Sequence, residues 1–317
     1  MAWQVSFTCE VINPDPVGRI VVAGLTKAYP GFNAVDDLSF TIEPGRVTGF
    51  LGPNGAGKTT TLRMLLGLVE PTTGTATIGG RKYVDLERPV EIVGAVLEAS
   101  SAHRGRTGRN HLRAICLAAG LPTGRADEVL ELTGLGAAGD RLFKGYSLGM
   151  RQRLGIATAM LGDPQVLILD EPTNGLDPEG IRWMRGLLRN LAAQGRTVLV
   201  SSHLLSEMQA LADDVVIIAK GRLVRQGSVA EVTASIATAV HIEVRTPTPD
   251  RLQAALQETG ATVTANSDGA LLVTDASEEQ VGDLAYRLGI PLHRLAAGTA
   301  DLEEAFLQLT HEGASIR

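Results

Sequence analysis

Cysteine is scarce in this chain of 317 residues, and long apolar runs are missing. The two cysteines, Cys9 and Cys116, are too few and too far apart for a metal cluster or a disulfide framework, which favours a reducing compartment. Residues 1–18 lack the basic start and long apolar stretch of a secretory leader, and no apolar run reaches the roughly 18 residues of a membrane-spanning helix. We expect a chain that is neither secreted nor membrane-spanning by itself.

An excess of positive charge is also missing. The formal net charge is −6 and the isoelectric point is about 5.6. Because no overall basic field favours DNA or RNA, we expect no nucleic-acid partner. The composition is ordinary for a globular protein, and the length suggests about two domains, each with its own core.

The most informative segment is a glycine-rich loop between a buried strand and a helix. An apolar run, Val47 to Leu51, precedes the loop, and a helical pattern, Leu62 to Leu68, follows it. Its glycines let successive N–H groups and the positive helix N-terminus surround the β- and γ-phosphate oxygens, and its lysine adds a charge. The loop predicts a nucleoside triphosphate site formed by Gly52, Pro53, Asn54, Gly55, Ala56, Gly57, Lys58, Thr59 and Thr60.

Two carboxylates follow a second buried strand, Val166 to Leu169. Asp170 can hold water around Mg²⁺, to which the Thr59 hydroxyl also offers an oxygen, and Glu171 can face an attacking water. We therefore predict a phosphoryl-transfer site with Mg²⁺ as cofactor and Glu171 as general base. The sequence leaves open whether Glu171 abstracts the proton or mainly orients the water.

A third segment, residues 146–153, reads Tyr-Ser-Leu-Gly-Met-Arg-Gln-Arg. Ser147 can cap a helix that starts near Met150, and its hydroxyl, the Gly149 N–H and the helix dipole form an anion site. Taken with the glycine-rich loop and the two carboxylates, in this order and spacing, the segment resembles the signature motif of ATP-binding-cassette (ABC) ATPases. Leu148 stands where many members carry glycine. The resemblance covers about residues 19–235 and leaves the last 80 or so residues matched only loosely.

The resemblance implies that ATP is the nucleotide and that a second copy of the chain completes the site. Two cassettes of this family stack head to tail, so the nucleotide would lie between the glycine-rich loop of one subunit and Ser147, Leu148 and Gly149 of the other. Asp177 would lie in the loop that joins the two sites.

Two further roles follow from the resemblance. Tyr29 occupies the aromatic position that stacks on adenine, and His203 occupies the switch position that contacts the γ-phosphate. The expected catalytic residues are therefore Glu171, His203 and Lys58.

One position departs from the family pattern. After the apolar run at 93–97 the family usually has a glutamine that touches Mg²⁺ and transmits the nucleotide state to the permease, whereas this chain has Glu98. A glutamate still offers an oxygen to Mg²⁺, so Glu98 joins Thr59 and Asp170 as an expected metal ligand. A basic patch follows, which we expect to meet acidic permease residues or anionic lipid; it consists of His103, Arg104, Arg106, Arg109, His111 and Arg113.

The predicted fold class is α/β. Residues 1–18 form an N-terminal extension, and residues 19–235 form a P-loop NTPase of the ABC nucleotide-binding type. That domain combines a mixed sheet core, an antiparallel β subdomain and a helical subdomain at about 99–161. Residues 238–317 form an accessory or regulatory α+β domain, whose β-α-β-β-α-β order suggests a ferredoxin-like fold with a last helix from Leu302 to Leu309.

The resemblance implies the ATP-hydrolysing subunit of a bacterial ABC transporter at the cytoplasmic face of the membrane. The chain resembles the daunorubicin-resistance and lantibiotic-immunity type in particular. This resemblance implies that the chain powers a separate permease for export of a drug, antibiotic or peptide. Two alternatives are a soluble regulatory ABC ATPase that acts on cytosolic machinery and a P-loop kinase that passes phosphate to a small metabolite.

Overall fold

The computed structural model describes residues 16–97, 102–237, 242–266 and 269–297. Three predicted features lie outside these residues: the metal ligand Glu98, the N-terminal extension before residue 16, and the last helix at 302–309.

The elements are numbered in chain order. The strands are β1 (Ile20–Tyr29), β2 (Phe32–Ile42), β3 (Val47–Leu51), β4 (Thr73–Ile78), β5 (Val93–Val96), β6 (Val166–Leu169), β7 (Thr197–Ser202), β8 (Asp214–Ala219), β9 (Arg222–Ser228), β10 (Ile242–Arg245), β11 (Thr262–Ala265), β12 (Leu271–Thr274) and β13 (Arg294–Ala297). The α-helices are α1 (Lys58–Leu65), α2 (Pro89–Ile92), α3 (Gly108–Ala119), α4 (Arg125–Leu132), α5 (Leu148–Ala159), α6 (Pro178–Ala193), α7 (Leu205–Leu211), α8 (Val229–Ala237), α9 (Pro249–Glu258) and α10 (Glu278–Leu288). Short 3₁₀ turns lie at Tyr83–Asp85, Gly136–Ala138 and Phe143–Gly145.

The central sheet brings the ends of three strands together. Its order is β5-β6-β7-β3-β8-β9, with parallel neighbours from β5 to β8 and β9 antiparallel to β8. Strands β3, β6 and β7 are buried along their whole length, as expected for a sheet that is covered on both faces. Because parallel strands end at one edge, the segments that follow β3, β6 and β7 meet there.

Alternate side chains of these strands enter two hydrophobic cores. Leu167 and Leu169 of β6 pack with helices α3 to α6 on one face of the sheet. Val166 and Ile168 pack on the other face, with α1 and a second sheet of order β2-β1-β4. The second sheet is antiparallel throughout, as predicted.

Helix α1 begins earlier than its apolar pattern predicts. Its first residue is Lys58, ahead of the apolar pattern that begins at Leu62, because the glycine-rich loop itself supplies the N-cap. It ends at Leu65 and not at Leu68, since Gly67 adopts a left-handed conformation with φ 66°. The loop therefore runs directly into the positive end of the helix.

The helical subdomain contains α3, α4 and α5, whose apolar faces pack together. Helix α5 begins at Leu148, two residues before the predicted start at Met150, because Ser147 is its N-cap. No helix in the described ranges is long and apolar enough to span a bilayer.

The C-terminal part has the predicted β-α-β-β-α-β order. Its sheet runs β11-β12-β10-β13 with antiparallel neighbours, so β10 and β11 lie parallel with β12 between them, as in ferredoxin-like folds. The residues Val244, Leu252 and Val273 belong to a core of its own. The sequence pattern predicts the last strand at Pro291 to Leu295, whereas β13 covers Arg294–Ala297. Pro291 itself has no N–H to donate to the ladder.

Candidate nucleotide site

The loop between β3 and α1 has the tight curvature that a phosphate cradle requires. Gly57 has φ 103°, and a Cβ atom there would lie 2.5 Å from the Ala34 carbonyl oxygen. A Cβ atom at Gly52 would lie 2.5 Å from the Ile218 carbonyl oxygen. Both positions exclude larger residues because backbone of other strands or loops passes against the loop.

The Lys58 side chain lies under this loop. It is only 6% exposed, and its Nζ donates a hydrogen bond of 2.6 Å to the Gly52 carbonyl. The same Nζ lies 3.5 Å from Glu171 Oε1. The amine therefore joins the glycine-rich loop to the predicted general base.

The two predicted carboxylates converge on the loop from the end of β6. The Thr59 hydroxyl donates to Asp170 Oδ2 at 2.7 Å, and His203 Nδ1 lies 2.9 Å from Glu171 Oε2. This proximity follows from the register of the sheet, in which the last residue of β6, Leu169, lies opposite Val200 of β7. The structure thus brings five predicted catalytic and metal-binding residues together: Lys58, Thr59, Asp170, Glu171 and His203.

Oxygen ligands suited to Mg²⁺ are present in this cluster. Mg²⁺ is usually held by one or two carboxylates, with substrate phosphates and waters completing its coordination. The Asp170 carboxylate and the Thr59 hydroxyl lie beside the glycine-rich loop and offer such hard oxygens. No group of three or more His, Cys, Asp or Glu suited to a metal occurs in the part of the chain that the structure describes, so these residues do not form an all-protein cage.

A cleft of about 650 Å³ opens beside the glycine-rich loop. Tyr29, Phe32, Glu171 and His203 are among the residues that line it. The Tyr29 ring stacks on Phe32, with ring centroids 5.6 Å apart and an angle of 27° between the planes. Both rings are partly solvent-exposed, Phe32 by 62%, so an apolar platform faces the cleft.

Sequence reasoning missed Phe32. Strands β1 and β2 form a hairpin in which Tyr29 and Phe32 are direct cross-strand partners. The turn between them is Pro30-Gly31, an order that favours a type II turn, and Gly31 has φ 90°. Two aromatic residues that flank a two-residue Pro-Gly turn were the available signal.

Sequence reasoning also assigned no role to Ser201. This serine is fully buried, and its hydroxyl contacts both Asp170 and Glu171. Polar residues at the end of an apolar strand were visible in the sequence, but their partners depend on the strand order of the sheet.

The predicted signature residues form a second cleft, of about 430 Å³. Ser147 accepts a hydrogen bond of 3.2 Å from the Met150 N–H, as predicted for an N-cap, and Leu148 is 56% exposed. Asp177 lines the same cleft and caps α6 by accepting a 2.7 Å hydrogen bond from the Gly180 N–H. The two clefts share no lining residue.

The predicted basic patch is partly neutralised. Arg109 forms ion pairs with Asp127 and with Asp140, and Arg113 pairs with Asp127 at 3.2 Å. Burial, with a smaller contribution from the Arg106 guanidinium, lowers the pKa of His111. The patch is therefore less basic than its sequence indicates.

The fold and site define a P-loop ATPase, and comparisons with known proteins agree. The ABC transporter family model matches residues 35–174, and a domain of unknown function matches residues 240–303. The uncharacterized ABC transporter ATP-binding protein YhcH of Bacillus subtilis is 39% identical over 293 residues, which cover 91% of this chain and 94% of that protein. The daunorubicin/doxorubicin resistance ATP-binding protein DrrA of Streptomyces peucetius is 35% identical over 323 residues, with 96% of each chain covered.

A solved structure supports the same family. The ATP-binding subunit of an ABC transporter superposes with a TM-score of 0.62 at 28% identity, covering 69% of this chain and 93% of that one. The chain belongs to the ABC transporter ATP-binding proteins, and it is an ATPase that powers transport by a separate permease. The family and fold predictions are confirmed. The similarity also extends into the C-terminal part, further than the two-thirds of the chain that the motifs indicated.

Proposed function

We propose that two copies of this chain close head to tail on two molecules of ATP with Mg²⁺, and that this closure drives export of a drug, antibiotic or peptide. The permease would hold the pair at the cytoplasmic face of the membrane. The observation that carries the proposal is the separation of the two clefts. A phosphate site and an anion-binding helix start lie on one chain but share no lining residue, which favours completion of each site by a second copy.

The proposed chemistry uses the cleft beside the glycine-rich loop. Loop N–H groups and the Lys58 amine hold the β- and γ-phosphate oxygens. Thr59 and Asp170 would hold Mg²⁺, which would neutralise charge on these oxygens when bound. We include Glu98 as a third ligand on sequence grounds alone.

Hydrolysis then needs one water and one base. The Glu171 carboxylate orients the water and accepts its proton, while the water oxygen bonds to the γ-phosphorus and the bond to the β,γ-bridging oxygen breaks. His203, which contacts Glu171 Oε2, is placed to contact the γ-phosphate. The products are ADP and inorganic phosphate.

The partner copy supplies the other half of the site in this proposal. The Ser147 hydroxyl and the Gly149 N–H, at the positive start of α5, bind the γ-phosphate across the interface. The exposed Leu148 packs at this interface, and Asp177 transmits closure between the two sites. Tyr29, supported by Phe32, stacks on the adenine of its own chain.

The transported class is inferred from relatives. DrrA is named for resistance to daunorubicin and doxorubicin, and the similarity covers nearly all of both chains. We propose the same general class of cargo here. We also propose the division into an extension at 1–18, an ATP-binding domain at 19–235 and an accessory domain at 238–317.

The test is a comparison of Glu171→Gln with the parent chain. Light scattering with ATP in the absence of Mg²⁺ should show a nucleotide-dependent dimer for the variant, and phosphate release with Mg²⁺ should be lost. Glu87→Gln, a change of the same type at an exposed position, serves as the control and should hydrolyse ATP at the parent rate. A variant that stays monomeric and releases phosphate undiminished would remove both the dimer and the base from the proposal.

A further inference from the structure

Ser201, the last residue but one of β7, contacts both carboxylate residues of the nucleotide site through one hydroxyl group. The hydroxyl donates a hydrogen bond to Asp170 Oδ1, and its oxygen accepts one of 2.9 Å from the Glu171 N–H. We infer that Ser201 is a positioning residue of the ATPase that fixes the Asp170 side chain and the Glu171 backbone together. The inference rests on the roles proposed above for these two residues.

The Glu171 backbone adopts a conformation that requires support. Its φ of 48° is in the left-handed region, which residues other than glycine rarely occupy. The Glu171 N–H bonds to Ser201, and its carbonyl accepts a 3.2 Å hydrogen bond from the Asn174 N–H. Because the side chain leaves from this turn, its approach to Lys58 and His203 depends on how the turn is held.

Asp170 is held from two sides. Ser201 occupies Oδ1, while the Thr59 hydroxyl donates to Oδ2 at 2.7 Å. The carboxylate plane is therefore fixed so that Oδ2 faces Thr59, the residue proposed to share the Mg²⁺. Without the serine hydroxyl the carboxylate loses one of its two anchors, and the partly buried Glu171 N–H loses its acceptor.

The next serine along the strand makes different contacts. Side chains alternate along a strand, so Ser202 points away from Ser201. The Ser202 hydroxyl donates to Glu207 Oε2 at 2.8 Å, and its oxygen accepts a hydrogen bond from the Leu204 N–H at 3.0 Å. The link to both site carboxylates therefore belongs to position 201 and is not a general property of the Ser-Ser pair.

The first test measures metal binding apart from turnover. Mn²⁺ serves as a paramagnetic probe, and its affinity is measured by electron paramagnetic resonance in the presence of ATP. The Glu171→Gln background prevents hydrolysis during the measurement. Adding Ser201→Ala should weaken Mn²⁺ binding about tenfold, the scale expected when a charged group loses one hydrogen bond. Affinity for ATP without metal should stay the same.

The second test measures turnover in the full chain. Ser201→Ala should lower kcat about tenfold with little change in KM for ATP, because it disturbs the reacting groups rather than the phosphate loop. Ser201→Thr keeps the hydroxyl and should restore much of both properties. Thr197→Val is the matched control. Thr197 is equally buried but lies at the other end of β7 from the nucleotide site, where its hydroxyl donates to the Gly18 carbonyl at 2.7 Å.

Ser201→Cys covers the case in which the alanine variant does not fold. Cysteine is close to serine in size but is a weak donor and acceptor, so the same direction of change is expected. Parent-like Mn²⁺ affinity and kcat in a folded Ser201→Ala or Ser201→Cys chain would overturn the inference, as would an equal loss in Thr197→Val. Failure of the proposed function is distinguishable, since it would appear as undiminished hydrolysis in Glu171→Gln itself.

Discussion

The starts of α1 and α5 are both helix N-termini suited to anions, yet they are built differently. Helix α1 begins after Gly57, a left-handed residue without a side-chain cap, so its N-terminal N–H groups remain available to a ligand. Helix α5 begins after Ser147, whose side chain already accepts the Met150 N–H. A lysine, two carboxylates and a histidine cluster with α1.

The cleft at α5 has a different set of neighbours. Its lining contains the exposed Leu148, the cap Asp177 and one cation, Arg153, whose guanidinium lies 4.2 Å from the centre of the Trp183 ring. The α1 cleft therefore contains the groups that the proposed phosphoryl transfer uses, whereas the α5 cleft contains those proposed for anion binding and an apolar contact. Under the proposed function, phosphoryl transfer takes place in the α1 cleft and dimer recognition in the α5 cleft, which share no lining residue.

Lys58→Ala should reduce ATP affinity more than any other variant. A small reduction would mean that the α1 cleft is not the main phosphate site. We expect ATP affinity to fall about 100-fold, because the variant removes the buried charge that is proposed to hold the phosphates. Isothermal titration with ATP measures this. Lys220→Ala is the control, since that lysine lines the same cleft but is exposed and screened by salt. Equal losses in the two variants would mean that general positive charge, and not the position of Lys58, holds the nucleotide.

Ser147→Glu tests the α5 cleft. A carboxylate at this helix start should repel the γ-phosphate of ATP on the other copy. Hydrolysis should therefore fall about 100-fold, the loss of rate that is typical when one preorganised donor to an anion is removed. Binding of ATP to the dilute, monomeric chain should not change, since the two clefts share no residue. Phosphate release and equilibrium ATP binding separate these effects.

The control for this variant is another serine cap. Ser277 caps α10 and accepts a 3.2 Å hydrogen bond from the Gln280 N–H, so Ser277→Glu makes the same change far along the sequence. It should leave hydrolysis at the parent rate. If Ser147→Glu weakened ATP binding by the monomer as strongly as it weakened hydrolysis, the α5 cleft would belong to the same-chain site.

Tyr29→Ala should give a smaller loss. Removing an aromatic ring from beneath a base typically costs 1–3 kcal/mol, so we expect ATP affinity to fall about tenfold. Tyr29→Phe should bind ATP normally because the ring remains to stack. Tyr286, which is 88% exposed on α10, supplies the control Tyr286→Ala. Unchanged affinity in Tyr29→Ala would assign the adenine contact to another part of the cleft.

The sequence predicted the motif residues that line the α1 cleft but not the neighbouring side chains that support them. Motif residues such as Lys58 and Glu171 carry their chemistry in local sequence, and β3 and β6 were predicted with their observed bounds. Ser201 was missed because its role depends on the pairing of β6 with β7, which are distant in sequence. Phe32 was missed although its signal is local, since it and Tyr29 flank the Pro30-Gly31 turn. The apolar patterns of α1 and α5 begin later than the helices themselves, because the caps Gly57 and Ser147 decide where each first turn starts.

Acid should slightly destabilise the helical subdomain, which contains α3 and α5. His111 lies on α3, which packs against α5, and its pKa is lowered chiefly by burial. A lowered pKa in the folded chain means that the unfolded chain takes up the proton more readily, so this histidine supports folding above its ordinary pKa of about 6.5 and the support is lost as pH falls through that region. Thermal unfolding between about pH 7.5 and about pH 5.5 should therefore show a smaller drop in Tm for His111→Gln than for the parent. His293→Gln, at an exposed position, should keep the parent's drop, and an equal drop in all three chains would remove His111 as a source of acid sensitivity.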